Sequence, residues 1–158
     1  MREVKFRGKS TMDIEEMDNM GFEHDNGWVI GSLINDKCPF IVGPVAEADQ
    51  EYLAHEWWVP VDPETVGQYT GLTDKNGKEI YEGDVLKGNS FATSMLKGWG
   101  ADVEQQFEVY EIRYDEASFK TFNKKGEWVA ILNHHVSSKV KDLEVIGNIY
   151  ENKDLLNA

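Results

Sequence analysis

A single cysteine, Cys38, stands in the 158 residues, so no disulfide can form within the chain and no cysteine-cluster zinc site can be built. No apolar run approaches the roughly 20 residues that a membrane span needs. The opening MREVKFRGKS carries charge but no apolar stretch, so no signal peptide is expected either. Positive charge is scarce in one region. Between residues 11 and 64 thirteen acids stand against one base, Lys37, and nearly all of the net charge of −13 arises there. Such a surface repels phosphates and disfavours ordinary nucleic-acid binding by the N-terminal half. Its plain role is solubility. Its sharper role is an electrostatic face for a basic partner, or mimicry of a nucleic-acid backbone.

What is present points to a folded chain. Hydrophobic residues make up 41%, with five Trp, six Tyr and seven Phe, too many aromatics for a disordered polymer. The length suits one domain, or one domain with a smaller appended subdomain, around a sizeable core. We expect a soluble, cytoplasmic protein with no membrane association.

Strand signals outnumber helix signals. Val4 and Phe6 alternate with charged residues. WVIGSLI (28–34), PFIVGP (39–44), FEVYEIRYD (107–115), EWVAILN (127–133) and LEVIGNIY (143–150) read as strands. The prolines around PFIVGP predict an edge strand. Residues 10–17 predict a short helix capped by Ser10 or Thr11 and closed by Gly21. Residues 46–58 are ambiguous, their first half preferring helix and 56–61 an extended form, and ENKDLLN reads as a short terminal helix. Residues 91–106, with Gly98, Gly100 and Asp102, predict a long loop. In 107–115 the Tyr110, Ile112 and Tyr114 side is the expected buried face.

The most patterned stretch is TGLTDKNGKEIYEGDVLKG (70–88). Asn76-Gly77 predicts a type I′ hairpin turn, because that turn needs φ > 0 at both central residues. Its flanking lysines would then sit at a tip in water. Gly83 predicts a sharp corner, with Asp84 accepting backbone N–H groups and Val85 opening a strand. The reading is a scaffold and not a catalytic site.

REVKFRGK, WVIGSLI, DPETVGQYTGLTDKNGKEIYEGDVLK (62–87) and EVIGNIYEN (144–152) together resemble the YopX family of phage and prophage proteins. These motifs run from end to end. Residues 88–106, 11–25 and 45–56 fall outside them and look like member-specific insertions. The resemblance implies a mainly β fold with barrel-like packing and a phage or prophage origin. It implies no activity.

Little chemistry can be assigned. Adjacent strand residues point to opposite faces, so His134 and His135 cannot chelate one ion together. His24 and His55 lack ligand spacing, and no EF-hand loop, phosphate-binding GxxxxGK[ST], GxGxxG or GxSxG occurs. Cys38 reads as a small apolar filler. No catalytic residue, metal ligand or cofactor is expected. Packing is the default role for the five tryptophans. Trp57 and Trp58 must diverge if extended, one inward and one outward, and Trp99 lies between glycines. These three are the interaction candidates, since exposed Trp marks protein-contact hot spots. Arg113, Tyr114, Phe119, Lys120, Phe122, Lys124 and Lys125 could instead bind a single strand, but nearby Glu111, Asp115 and Glu116 offset the bases.

The expected fold is mainly β with little helix. An SH3-like or irregular barrel spans 65–158, with small N-terminal strands and an acidic region, 1–64, packed on it. The leading function is a non-catalytic accessory protein that contacts a host or phage protein, or a second copy of itself. A nucleic-acid-related module is the runner-up, and a carboxylate- or metal-dependent enzyme the third class.

Overall fold

The computed structural model describes residues 1, 3–133 and 142–157. His134 and His135 lie outside the described residues. The architecture is mainly β with little helix, and the chain divides into two compact units, Met1–Tyr69 and Thr70–Ala158.

In the first unit β1 (Phe6–Lys9) pairs with β2 (Trp28–Ile34), β2 with β3 (Phe40–Val42), and β3 with β6 (Trp58–Pro60), all antiparallel. β7 (Gly67–Thr73) begins beside β1, with Arg7 opposite Gly67. The sheet curls almost to closure. Ser10 bridges Val61, Asp62 N–H donates to Lys9 O (2.8 Å), and Thr11 N–H donates to Pro60 O (3.0 Å). Inside the curl lie Met17, Val29, Ile41, Val59 and Val61, with Phe6, Leu33 and Trp57 against them.

Three local expectations change here. The helix α1 spans Ile14–Met20, later than predicted, because Ser10 is still paired and Asp13 is the cap, accepting from Glu15 N. Gly21 closes it at φ 73°. Strand β3 is interior and not an edge. Pro39 and Pro44 fall just outside Phe40–Val42, so the ladder loses no donor. Residues 46–55 form no helix. β4 (Val45–Ala48) and β5 (Leu53–His55) make a hairpin arm, and Gly43 N–H to Trp57 O and Glu56 N–H to Pro44 O make it a continuation of the β3–β6 pair.

In the second unit β7 turns into β8 (Glu79–Tyr81), and a corner at Gly83 leads to β9 (Asp84–Asn89). The sheet runs β12 (Trp128–Ile131), β11 (Ser118–Phe122), β10 (Phe107–Asp115), β9, β13 (Glu144–Asn148). Its core is Ile80, Leu86, Tyr110, Ile112, Leu132, Leu143 and Val145. The ladders draw a curled sheet of open order, and the near-closure of strands is a feature of the first unit. Tyr110 and Ile112 are buried, but Tyr114, at the strand end, is half exposed and tilts against Phe119. The expected loop at 91–106 begins with a helix, α2 (Phe91–Gly98). Ser90 caps it by accepting from Thr93 N (3.2 Å), a start signal that the later glycines obscured. A short α3 (Asp154–Asn157) follows β13.

The patterned stretch is held together by carboxylates. Asp74 is buried. Its Oδ1 accepts from Asn76 N (2.8 Å) and Lys78 N (2.9 Å), and its Oδ2 accepts from Val145 N (3.0 Å). Lys75 N–H donates to Leu143 O, and its ammonium pairs with Glu144. The turn is therefore clipped to β13 at its base, while Lys75, Asn76, Gly77 and Lys78 remain exposed as expected. Only Gly77 takes positive φ (83°), so the turn is not type I′. The Asp74 carboxylate gathers the N–H groups that follow it, and this favours an Asx-type turn with one left-handed glycine. Asn123 repeats the device, accepting from Lys125 N and Glu127 N, with Gly126 at φ 76°. At the corner Gly83 takes φ 82°, and Asp84 Oδ2 accepts from Tyr81 N (2.8 Å).

Candidate functional site

Strand β2 is apolar on both sides. Side chains alternate across a sheet, and antiparallel partners share a face. Val29 and Leu33 point into the core of the first unit with Ile41 and Val59. The opposite face carries Ile30, Ser32 and Ile34. Val42 lies beside Ser32 and Phe40 beside Ile34 on β3, and Trp58 lies beside Val42 and Pro60 beside Phe40 on β6. On that outer face Ile30 is 48% exposed, Ile34 49% and Trp58 63%. Single exposed apolar residues are ordinary, but these three share one face of the sheet, with Phe40, Val42 and Pro60 between and beside them, and such a face is of the kind that marks a contact surface.

Arg7 and Lys9 edge this face from β1. Both stack on Trp28, at 5.2 and 5.7 Å from the ring centre, and Lys9 Nζ also donates to Asn26 O. Trp28 itself is buried. Asn26-Gly27, just before it, has φ 48° and 82°, a type I′ turn. Here no aspartate precedes the dipeptide by two positions, and the Nδ1 of His24 accepts from Gly27 N (3.0 Å).

The tryptophans part ways. Trp57 packs toward the core and meets Phe22 at 6.5 Å between ring centres. Trp58 lies on the outer face. Trp99 follows α2 in the second unit and is 76% exposed. Leu96 and Met95 beside it are partly exposed, while α2 buries Thr93 and Ser94. Trp128, for which packing was the default, is 60% exposed. Ile30 and Ile34 were missed. The one signal available was that WVIGSLI is apolar at both odd and even positions, which predicts a strand covered on two sides.

The basic and aromatic strands of the second unit are internally neutralised. Arg113 makes a two-pronged pair with Glu111, both contacts at 2.7 Å, and lies over Phe122. Lys120 Nζ donates to Asp115 (2.8 Å) and Glu116 (2.7 Å). These partners raise both cations above their ordinary pKa, Arg113 through Glu111, Lys120 through Asp115 and then Glu116. Elsewhere His24 Nε2 meets Asp18, His55 Nδ1 meets Gly43 O, and Cys38 is exposed and not a core filler. Among the described residues no group of three or more His, Cys, Asp or Glu is placed to hold a metal ion. Among them also, no helix is long and apolar enough to cross a membrane.

The sequence profile of the YopX protein family matches residues 5–157, nearly the whole chain. The chain belongs to the YopX family. No curated protein matches the sequence. A crystal structure of protein EF1440 from Enterococcus faecalis is similar in fold. It aligns over 99% of each chain with a TM-score of 0.52 and 20% identity. At that identity the likeness concerns the fold alone. The YopX match takes in both the carboxylate-held stretch of the second unit and the outer face of the first.

Proposed function

We propose that this YopX-family chain is a non-catalytic accessory protein of phage or prophage origin that acts by protein contact through the outer face of β2, β3 and β6. One observation carries the reading: Ile30, Ile34 and Trp58 stand exposed on a strand-built platform whose reverse side is already the core. A strand-built apolar face with an exposed Trp on its edge strand β6 suits a contact surface, since Trp is enriched among hot spots. Direct binding of nucleic acid is less well supported, because Arg113 and Lys120, the central cations of the aromatic strands, are each bound to carboxylates.

The test is affinity capture from infected or lysogenic host cells, after nuclease treatment, with wild type and with Ile30→Ser/Ile34→Ser/Trp58→Ser as baits. A stoichiometric protein held by wild type and lost by the variant supports the reading. Equal capture by both baits, or capture abolished by nuclease, would sink it.

A further inference from the structure

Building on that reading, we infer that the occupant of the outer face is a basic polypeptide segment, with apolar side chains alternating with Lys or Arg, and not a second copy of this chain. The charges around the patch carry the inference. Glu56 stands in the bend between β5 and β6, two residues before Trp58. Asp36 stands in the turn between β2 and β3. The arm that prolongs β3 and β6 bears Glu47, Asp49 and Glu51, and all five acids are exposed. Lys37 is the sole base between residues 11 and 64. The cations at the β1 border, Arg7 and Lys9, are stacked on Trp28.

A second copy docked face to face would bring this acidic rim against its own like. Charges closer than about 8 Å are poorly screened at physiological salt, so the contact would be opposed where it is tightest. An acidic protein or a nucleic acid meets the same opposition. A basic segment gains on both counts. Its apolar side chains cover Ile30, Ile34 and Trp58, and its cations meet the rim. The arm suits a clasp. A two-stranded hairpin is marginal alone, yet Asp49 holds this one at its tip, accepting from Glu51 N (2.7 Å) and Tyr52 N (2.9 Å). It also presents Val45, Tyr52 and Leu53 to solvent.

The probes are two short fluorescein-labelled peptides, one alternating valine with lysine, the other valine with glutamate. Each is titrated by anisotropy into the purified full chain, and the chain alone is run in sedimentation velocity. The lysine peptide is expected to bind. Its affinity should fall about tenfold or more between roughly 50 and 500 mM NaCl. A similar loss is expected in Ile34→Ser/Trp58→Ser and, independently, in Asp36→Asn/Glu56→Gln, while the glutamate peptide stays unbound. The chain alone should sediment as a monomer. No binding of the lysine peptide, or binding untouched by Ile34→Ser/Trp58→Ser, overturns the inference, the latter because it marks diffuse attraction to acids. A dimer that Trp58→Ser disperses also overturns it, yet leaves the contact reading standing with a different occupant. A monomer that binds neither peptide and captures no protein ends both.

Discussion

The clipped turn of the second unit and the outer face of the first invert one another. Around Asp74 a charged side chain is buried, and its oxygens are consumed by backbone N–H groups from 76, 78 and 145. Around Trp58 apolar side chains stand in water above a core that does not need them. The first arrangement is costly unless every partner is in place, so it belongs to folding. The second contributes little to folding, so its exposure calls for another reason. On the proposed reading the most patterned stretch of the sequence is scaffold, and the surface offered to a partner lies in a plainer one.

The contrast can be broken at either end. Asp74→Ala should give the largest loss. It strips the acceptor from three N–H groups, one of them on β13, and should cost about 3 kcal/mol or more in a urea titration. A loss under about 1 kcal/mol would mean that the clip holds nothing. Next, Gly83→Ala should cost roughly 2 kcal/mol, because φ is 82° and the new Cβ would lie 2.8 Å from the Tyr150 ring. Gly77→Ala has the same handedness problem but no neighbour within 4 Å, so about 1 kcal/mol is expected. If the two glycine variants melt alike, the Tyr150 contact is irrelevant.

Tyr110 gives a pH test. Its hydroxyl donates to Glu108 (2.8 Å) and accepts from Phe91 N (3.1 Å). Burial first, and then the bond to Glu108, push its pKa above the ordinary tyrosine value. The folded state thus holds the proton more tightly than the unfolded state does. This contribution is complete below about pH 10 and is lost as pH rises beyond it. Tyr110→Phe should flatten the alkaline fall in melting temperature. An unchanged alkaline slope would remove Tyr110 as its source. The smallest effect on stability is expected at the outer face, where Ile34→Ser/Trp58→Ser should stay within about 0.5 kcal/mol of wild type. A large loss there would make the patch part of the core.

The strands of the second unit were legible because polar and apolar residues largely alternate in FEVYEIRYD, and EWVAILN and LEVIGNIY are apolar runs rich in β-branched and aromatic residues. The corner at Gly83 was legible from the glycine itself. The two Asn-Gly dipeptides show where legibility stops. Asn-Gly favours type I′, and of the two only Asn26-Gly27 adopts it. At Asn76-Gly77 the aspartate two residues earlier redirects the turn, and its second oxygen serves a strand 71 residues away. That pairing has no local signature. The helix preference in the first half of 46–58 was misleading because Ala, Glu and Gln favour helix on their own, whereas the chain there only extends the β3–β6 pair. At the site, the divergence of Trp57 and Trp58 followed from alternation, but which of the two faces water did not. Ile30 and Ile34 were not singled out, since a strand apolar on both sides does not say which side is left uncovered.

Site-specific photo-cross-linking tests the central claim most directly. Benzoylphenylalanine replaces Trp58 in one variant and Trp99 in another, and each is irradiated in host cells. The account predicts a discrete protein adduct from position 58 and none of comparable yield from position 99. A discrete adduct from position 99 with none from position 58 would contradict it and move the contact surface to α2.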